Sequence, residues 1–371
     1  MNIDVIIVGC GQISAAHVAA ILSHPQLRLA GLVSRSHRRA SAVADAALLA
    51  QGTRPWIASE LTQTSHRLDS ALVVVCTESG THFEVARTAI LCGAHVLIEK
   101  PVATRLSDAR RLIEAASSRA AAGRVSSVVS QRRFAPATLA LRGWLDRGRL
   151  GDVTSASVVM PWWRSDEYYS SRPWRGTWAG DGGGALLNQG VHYADLLIAL
   201  LGPPIEVYGM TATSPHRDIE AEDTAGAVLR FASGAIGTVL ATTAANPGYP
   251  TGIRISGTRA SAQLSDDELV VTDATGANVV RVAPSAADQS QRSGAFGSPA
   301  LPELVHARQY RDVVDSITAG RRPQVGLTQG AQALALVKSV YIAQRLGAPV
   351  RFDAVLAGDH DVLDRSEVAD S

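Results

Sequence analysis

The chain of 371 residues is 46% hydrophobic, and its 35 basic residues nearly balance 34 acidic ones to give a net charge of +1. This length is typical of two or three domains of roughly 150 residues, and the balanced charge argues against nucleic-acid or acidic-membrane binding, which needs a basic surface. No apolar run approaches the roughly 18–20 residues of a membrane span. Because no secretory signal is evident and the three cysteines lack metal spacing, we expect a cytoplasmic protein.

The first third of the chain alternates apolar strands with helical stretches. Strands are predicted at Ile3–Val8, Leu27–Val33, Leu72–Cys76 and His95–Ile98, and helices at Ser14–Ser23, Ala40–Gln51, His82–Cys92 and Leu106–Ala122. Nearly continuous apolar strands that alternate with helices indicate a parallel sheet covered on both faces. We therefore predict an α/β domain over residues 1–124.

Strands follow one another through short turns in the second part of the chain. They are predicted at Val153–Met160, Glu206–Thr213, Thr224–Phe231, Ala235–Thr243 and Gly252–Ser256, with closing helices at Leu304–Thr318 and Leu327–Leu346. This succession predicts an α+β domain over residues 125–356, built on a large, mostly antiparallel open sheet. Ser285–Pro302 is predicted to be a mobile loop, and the polar residues 357–371 a disordered tail.

A glycine turn follows the first strand and opens the first helix, in the run Gly9-Cys10-Gly11-Gln12-Ile13-Ser14. The first glycine permits the tight turn, and the second allows the backbone to approach a pyrophosphate at the helix N-terminus. We predict a Rossmann fold with Gly9, Gly11, Gln12 and Ile13 at the cofactor. An ordinary glycine turn is the alternative.

The segment after the second predicted strand is basic. An acidic residue at this point binds the ribose 2′-hydroxyl of NAD, whereas a serine and an arginine supply donors for the 2′-phosphate of NADP. The chain has Ser34 and Arg35 here, followed by Arg38 and Arg39. We predict that Ser34 and Arg35 bind the cofactor, with NADP(H) preferred and NAD(H) possible. The alternative is that these arginines only form the solvated start of a helix.

Lysine is rare in this chain, since 33 of the 35 basic residues are arginines. Lys100 lies in Glu99-Lys100-Pro101 directly after a predicted strand, at the strand end where open α/β sheets bind ligands. Lys338 falls in the predicted helix Leu327–Leu346, where we expect its amine to reach solvent. A catalytic amine is therefore expected to be Lys100.

Three consecutive glycines, 182–184, precede a predicted helix with a polar side. Asn188, His192 and Asp195 follow at i, i+4 and i+7, on one side of a helix. Oxidising a hydroxyl to a carbonyl requires a group that takes the hydroxyl proton, and histidine can do this near neutral pH. We predict His192 as catalytic, with Asn188 and Asp195 at the substrate; a purely structural histidine is the alternative.

Together these motifs resemble the Gfo/Idh/MocA oxidoreductase family, which includes glucose–fructose oxidoreductase and inositol dehydrogenase. The resemblance extends over nearly the whole chain: the G-x-G turn, Thr77–His82, Glu-Lys-Pro, and Gly-Gly-Gly with a downstream histidine. It implies that Lys100 and His192 form the active site, that Thr77, His82 and Glu99 lie at the cofactor, and that the protein forms a homodimer or homotetramer.

Two positions depart from the family pattern. Asn188 stands where the family has an aspartate, so that a proton relay through a carboxylate at this position is in doubt. Some nucleotide-sugar members look similar in having Asn-Gln-Gly there. Glu78 replaces the usual proline after Thr77, which bears on a nicotinamide or ribose contact.

An aromatic segment precedes the glycine loop. Six of the chain's 18 aromatic residues and three arginines fall within 17 positions: Trp162, Trp163, Arg164, Tyr168, Tyr169, Arg172, Trp174, Arg175 and Trp178. Aromatic rings stack on the apolar faces of sugars, and arginines donate to hydroxyls, carboxylates or phosphates. We predict Trp163, Arg164 and Trp174 at the substrate, while the family resemblance implies that Trp174-Arg175 contacts the cofactor. An aromatic cluster packed on itself, or a subunit contact, is the alternative.

These residues predict an enzyme that transfers a hydride between a nicotinamide cofactor and a ring hydroxyl or ketone of a sugar, sugar derivative or cyclitol. A hydroxyl is expected between Lys100 and His192, with His192 accepting its proton and charged Lys100 stabilising the developing alkoxide. No metal is predicted, because no set of ligands has metal spacing. Two alternatives stay open: an NAD-dependent glycosidase that acts by transient oxidation, and a non-catalytic dinucleotide-binding regulator.

Overall fold

The computed structural model describes residues 2–216, 218–283 and 303–364, which form two compact units. The first unit comprises 2–131 and 303–331, and the second comprises the remaining described residues. None of the described helices is long and apolar enough to cross a membrane.

The first unit is built on a six-stranded parallel sheet. In sheet order the strands are β3 (Trp56–Ala58), β2 (Leu27–Val33), β1 (Ile3–Val8), β4 (Leu72–Val75), β5 (His95–Ile98) and β6 (Ser126–Val128). Every neighbouring pair is parallel. The connecting helices are α1 (Ser14–Leu22), α2 (His37–Gln51), α3 (His82–Leu91) and α4 (Leu106–Ala120). The predicted Rossmann fold is therefore confirmed.

Apolar residues fill both faces of this sheet. Val5, Ile7, Leu29, Val74 and Leu97 are each at most 1% exposed, as expected for the central strands of a parallel sheet. Because the strands are parallel, the carboxyl ends of β1, β2, β4 and β5 lie at one edge of the sheet. Four residues selected from the sequence follow these strands at this edge: Gly9, Ser34, Thr77 and Glu99.

A helix late in the chain packs in the first unit. This helix, Glu303–Ala319, contributes Tyr310, Val313 and Val314 to the same hydrophobic core as β1 and α1. The sequence predicts this helix as part of the second domain, because it follows that domain in the chain. The helix instead packs against α1, and its buried side chains belong to the core of the first unit.

The second unit is built on a nine-stranded sheet. In sheet order the strands are β14 (Asn278–Val282), β13 (Glu268–Asp273), β12 (Ala260–Ser265), β11 (Gly252–Gly257), β7 (Val153–Pro161), β10 (Ile236–Thr242), β9 (Thr224–Phe231), β8 (Pro204–Ala212) and β15 (Val350–Arg351). Only the β7–β10 pair is parallel among these described strands. The mostly antiparallel open sheet is therefore confirmed.

The remaining described helices complete the chain, with α9 being the helix Glu303–Ala319. They are α5 (Pro136–Asp146), α6 (Asp166–Ser170), α7 (Trp178–Asp181), α8 (Val191–Leu201), α10 (Leu327–Leu346) and α11 (Phe352–Ala357). The predicted loop Ser285–Pro302 and residues 365–371 of the predicted tail lie outside the described residues.

One side of the nine-stranded sheet exposes large apolar side chains. We call it the outer face; it is formed by residues that are each at least 41% exposed: Val159, Tyr208, Met210, Val228, Ile236 and Leu240. These residues lie on four adjacent strands, β7, β10, β9 and β8. The opposite side chains of the same strands, such as Val158, Val207 and Leu229, are buried.

Lys338 on α10 is buried and paired, contrary to the expectation that its amine reaches solvent. Its Nζ donates to Asp364 Oδ1 at 2.7 Å and to the Gly182 carbonyl oxygen at 3.1 Å, and the residue is 1% exposed. The expectation is wrong because a carboxylate from the end of the described chain compensates the buried charge. The predicted tail is correspondingly shorter, since Asp361–Leu363 forms a helical turn that presents Asp364.

Candidate active site

The glycine turn after β1 has the geometry that a dinucleotide needs. Gly9 has a φ of +101°, and a Cβ atom there would lie 2.5 Å from the Cys76 carbonyl oxygen, so only glycine fits. Gly11 is exposed, and a Cβ atom on it would meet nothing within 4 Å. A side chain at Gly11 would therefore fill open space directly beside the start of α1.

The N-terminus of α1 lies immediately after this open space. Ser14, the third position of the fingerprint, is buried and donates through Oγ to the Gly11 carbonyl oxygen at 2.6 Å. Gln12 is exposed and Ile13 is half-buried. The first amides of a helix have no intrahelical acceptor, so this end of α1 suits a pyrophosphate. The residues present fit a dinucleotide.

The loops after β2 and β4 meet through an ion pair. Arg35 Nη2 donates to Glu78 Oε1 at 2.6 Å, although the arginine side chain remains 84% exposed. Ser34 accepts the Ser36 backbone N–H at 3.2 Å. The structure thus adds a carboxylate beside the two residues predicted to bind a cofactor 2′-phosphate.

His82 links the loop after β4 to the loop after β5. Its Nδ1 lies 2.8 Å from the Pro101 carbonyl oxygen, and its Nε2 lies 3.0 Å from that of Thr77. Burial lowers the pKa of His82, so the neutral ring donates to one of these two oxygens at a time. Thr77 also accepts a hydrogen bond from Thr81, 2.8 Å away.

Glu99 and Lys100 follow β5, and a cis peptide bond joins Lys100 to Pro101. Lys100 is half-buried, whereas Glu99 is only 6% exposed. Glu99 Oε1 lies 2.9 Å from His17 Nε2, and Oε2 accepts the Lys100 backbone N–H at 3.1 Å. The carboxylate of Glu99 therefore lies in the interior, while the lysine beside it is at the edge of the sheet.

The Glu99 carboxylate is strongly stabilised in its charged form. Burial favours the protonated acid, but the His17 hydrogen bond and the charges of His17, His306 and Lys100 outweigh it and lower the pKa of Glu99 to about 2. His17, Glu99 and His306 each place one ligand atom within 4.8 Å of the others, the one such group found among the described residues. Because His17 uses both ring nitrogens at hydrogen-bond distances, we interpret this as a hydrogen-bonded cluster.

The glycine loop of the second unit is held by a buried carboxylate. Glu222 accepts the backbone N–H groups of Gly184 and Leu186, each at 2.9 Å, and the Tyr341 hydroxyl at 2.8 Å. A Cβ atom on Gly184 would overlap the Glu222 carbonyl oxygen, so glycine is required there. Burial raises the pKa of Glu222 to about 6 against these hydrogen bonds.

Asn188 and His192 lie where this loop becomes a helix. Residues Leu186–Gly190 form a π-helical turn that continues into α8. Asn188 and His192 are half-buried, whereas most of their neighbours are buried. Asn188 Nδ2 donates to Asp181 Oδ1 at 3.2 Å. A carboxylate therefore lies next to Asn188, although the residue itself is an amide.

Asp195 lies in the interior of the second unit. Its two carboxylate oxygens accept from Arg133 Nε at 2.7 Å and Nη2 at 2.5 Å, and the residue is 5% exposed. Arg132 stacks 4.9 Å from the Tyr193 ring and lies 3.8 Å from Asp267. Arg133 thus binds both oxygens of the Asp195 carboxylate, and the substrate contact of Asp195 stays a prediction.

Three rings of the aromatic segment pack in the interior, as the alternative for this segment states. Trp162 Nε1 donates to Thr251 Oγ1 at 2.7 Å, the Tyr169 hydroxyl bonds Thr243 Oγ1 at 2.7 Å, and Trp178 Nε1 donates to the Glu220 carbonyl oxygen at 3.0 Å. Each ring is at most 9% exposed. This part of the segment is a packed aromatic cluster.

The four residues selected from this segment are half-buried: Trp163, Arg164, Trp174 and Arg175. Arg175 lies 4.1 Å from the Tyr168 ring and donates to the Ser171 hydroxyl at 2.6 Å. Arg164 lies 5.1 Å from the same ring. Stacking fixes the direction of both guanidinium groups while their edges remain able to donate.

Comparison with known proteins identifies the family. Residues 3–126 match the model of an oxidoreductase family with an NAD-binding Rossmann fold, and residues 138–263 match that of the GFO/IDH/MocA C-terminal domain. The chain is 31% identical to the WlbA dehydrogenase from Bordetella pertussis, described in complex with NADH and UDP-GlcNAcA, over 95% of this chain and 99% of that one, with a TM-score of 0.76. The chain belongs to the Gfo/Idh/MocA family of oxidoreductases.

Matches to curated proteins are shorter. The chain is 33% identical over 150 residues to the uncharacterized oxidoreductase YhhX of Escherichia coli, which is 40% of each chain. It is 33% identical over 169 residues to the 1,5-anhydro-D-fructose reductase of Ensifer adhaerens, or 45% of this chain and 49% of that one. The chain thus spans less than half of the length of these two relatives.

Several buried polar residues of the two units were not selected from the sequence. The sequence does contain a signal for His17. It is a histidine within the apolar helix α1, and a buried histidine needs hydrogen-bond partners. Glu222 and Tyr341 had no such signal, since their connection to the glycine loop appears only when distant segments meet.

Proposed function

We propose that this chain is a nicotinamide-dependent dehydrogenase or reductase that acts on a ring hydroxyl or ketone of a sugar, sugar derivative or cyclitol. The observation that carries this proposal is the position of Lys100 at the sheet edge that also bears the glycine turn. β1 and β5 both flank β4, so their ends are about 10 Å apart. This distance suits an amine near the reactive end of a dinucleotide held at the turn.

The cofactor is proposed to bind at the carboxyl edge of the first sheet. Gly9, Gly11, Gln12 and Ile13 would hold its pyrophosphate, and Ser34 and Arg35 its adenosine ribose. When bound, the nicotinamide supplies or accepts the hydride. NADP(H) is proposed as the preferred cofactor because Ser34 and Arg35 can donate to a 2′-phosphate. Glu78 reduces this preference, because its carboxylate competes for Arg35.

Lys100 and His192 are proposed as the catalytic pair. Charged Lys100 would stabilise the developing alkoxide and orient the reacting oxygen. His192 would accept the hydroxyl proton during oxidation and return it during reduction. The half-buried state of both residues supports these roles, since each side chain remains partly open.

The substrate is proposed to be a sugar with an attached anionic group, and a nucleotide-linked uronic sugar is the first candidate. The description of the WlbA dehydrogenase with UDP-GlcNAcA supports this choice. Trp163, Arg164, Trp174 and Asn188 are proposed to contact it, because rings cover sugar faces and guanidinium groups pair with carboxylates or phosphates.

A spectrophotometric screen tests the proposed reaction. Free sugars, inositols, glycosides and nucleotide sugars are offered with NAD and NADP, and nicotinamide reduction is followed. We expect turnover with at least one sugar class. Cleavage of a nitrophenyl glycoside without net reduction would show the glycosidase alternative, and cofactor binding without turnover on any substrate would favour a regulator.

We further propose that the protein forms a homo-oligomer through the outer face. Six large apolar side chains on four adjacent strands make a patch that a second copy can bury. Contiguous exposed apolar patches of this kind mark association surfaces. We propose that a second copy of this chain covers the patch, because a homodimer with twofold symmetry uses the same surface on both subunits.

A further inference from the structure

His17 joins three elements of the first unit. The residue is fully buried on α1; its Nε2 lies 2.9 Å from Glu99 Oε1 at the end of β5, and its Nδ1 lies 2.8 Å from the Tyr310 hydroxyl on α9. Both ring nitrogens are thus used by partners from other elements. A buried polar ring that is satisfied twice is fixed in orientation.

The hydrogen bonds form one continuous chain. Burial holds the pKa of Tyr310 well above its ordinary value, so its hydroxyl keeps its proton and forms a hydrogen bond with His17 Nδ1 at 2.8 Å. His17 Nε2–H then donates to Glu99 Oε1, and the Lys100 backbone N–H donates to Glu99 Oε2. Because a carboxylate can only accept, both the His17 ring and the Lys100 backbone serve as donors to Glu99.

We propose that His17 is a positioning residue for Lys100. It holds the Glu99 carboxylate in the orientation from which one oxygen accepts the Lys100 backbone N–H. This inference rests on the proposed catalytic role of Lys100. Because His17 lies one helical turn after Ser14, it also connects the start of the cofactor helix to the lysine.

Titratable groups from several elements face Glu99. His17 comes from α1, His306 and Tyr310 from α9, Cys76 from the end of β4, His82 from the start of α3, and Lys100 from the same segment. Since Lys100 favours the charged form of Glu99, Glu99 must favour the charged form of Lys100 by the same amount. The titration of the Lys100 amine therefore reports whether the Glu99 carboxylate is charged.

The scarcity of lysine makes this reporter accessible to NMR. Reductive methylation of the full-length chain with labelled formaldehyde, in the presence of NADH, marks the Lys100 amine and the chain terminus. Lys338 is 1% exposed and paired with Asp364, which protects it. The Lys100 signal is assigned by its loss in Lys100→Arg, and its titration midpoint is measured.

Four variants test the proposal. Glu99→Gln is expected to lower the Lys100 midpoint by about one pH unit, the effect of losing one nearby opposite charge. His17→Leu is expected to lower the midpoint as well, because a buried carboxylate that loses one of its two donors takes up a proton more readily. It should also reduce kcat by about tenfold through misplacement of the amine. His17→Gln should recover part of both effects, since an amide can donate to Glu99 and accept from Tyr310. The affinity for NADH should remain unchanged in His17→Leu.

His95→Gln is the matched control. His95 is a buried histidine at the other end of β5 that accepts the Val125 N–H at 3.0 Å, and it has no contact with Glu99 in the described structure. The proposal is overturned if folded His17→Leu shows the same Lys100 midpoint and kcat as His95→Gln. Retention of one equivalent of zinc by the wild type, lost in His306→Ala, would also overturn it. Full turnover in Lys100→Met would instead remove the proposed function.

Discussion

The Arg35 guanidinium lies 2.6 Å from the Glu78 carboxylate, across the end of β1 where the glycine turn begins. Arg35 follows β2, Glu78 follows β4, and both strands are neighbours of β1. The pair therefore joins the two loops that border the proposed adenosine site. An exposed pair of this kind contributes little to stability, so its partners are free to exchange for a ligand.

Glu78→Gln is expected to increase the preference for NADPH over NADH by about tenfold. The substitution removes a negative charge beside the 2′-phosphate and releases Arg35 to bind it, whereas NADH has no phosphate there. Dissociation constants for both cofactors, from nicotinamide fluorescence, give the ratio without any substrate. Glu84→Gln, an exposed change on α3, is the control. An unchanged ratio in Glu78→Gln would contradict the role of the pair.

Lys100→Met is expected to reduce kcat by at least about a hundredfold, the scale for loss of a group that stabilises developing charge. Cofactor affinity should change little, because the glycine turn is unaltered. Lys100→Arg retains the charge but spreads it over a planar group, so it should recover only part of the rate. Stopped-flow measurement of hydride transfer with the substrate from the screen provides the test, and near-normal turnover in Lys100→Met would refute the assignment.

The stability of the fold should decrease between about pH 4.5 and 6.5 through Glu222. Burial raises the pKa of Glu222 from 4.5 to about 6, so the folded state binds more protons than the unfolded state in this window. Protonated Glu222 therefore adds about 2 kcal/mol to the free energy of unfolding below pH 4.5, and this contribution is lost as the pH rises through 6.

Comparison with Glu222→Gln isolates this effect. His95, whose pKa is lowered to about 4 first by burial, changes stability in the opposite direction over part of the same window, so the wild-type curve alone is insufficient. The difference between wild type and Glu222→Gln in urea denaturation should change by about 2 kcal/mol from pH 4.5 to 6.5. Glu60→Gln, an exposed change, should show no such change. If the difference between wild type and Glu222→Gln did not change with pH, the raised pKa of Glu222 would be contradicted.

Loss of the Asp364 carboxylate should destabilise the second unit by about 3 kcal/mol, the cost of leaving a buried charge without its partner. Lys338 is 1% exposed, and Asp364→Ala removes one of the two acceptors described for its amine, which leaves the Gly182 carbonyl oxygen. Lys338→Met in the same chain should restore part of the loss, because a buried apolar side chain needs no counter-charge. Free energies of unfolding of the two single variants and the double variant, from urea denaturation, give the coupling between Lys338 and Asp364. Additive losses of stability would exclude this coupling.

Much of the first unit could be predicted because its signals are local. The apolar strands from Ile3–Val8 to His95–Ile98 and the glycine turn between β1 and α1 need no knowledge of distant partners. The strands β12, β13 and β14 were missed, since they are short, half polar and separated by turn residues such as Asp266 and Gly276. Such segments become strands only by pairing with neighbours.

Side-chain partners were harder to predict than elements. The positions of Asn188, His192 and Asp195 indicated one polar side of a helix, but Asp195 pairs with Arg133, 62 positions earlier in the chain. Lys338 pairs with Asp364 in a segment predicted to be disordered. Periodicity gives the direction of a side chain, whereas the partner that compensates a buried charge depends on the assembled fold.

The oligomer should dissociate when charge is placed in the outer face. Leu240 and Val159 are paired across β10 and β7 and are 43% and 41% exposed, so Leu240→Glu would bury a carboxylate against apolar side chains of a second copy. Light scattering after size-exclusion chromatography should give at least twice the chain mass of 39.0 kDa for the wild type and 39.0 kDa for the variant. Leu49→Glu, at an 89% exposed position on α2, should leave the mass unchanged. A monomeric wild type, or an intact oligomer in Leu240→Glu, would show that the outer face is not the interface.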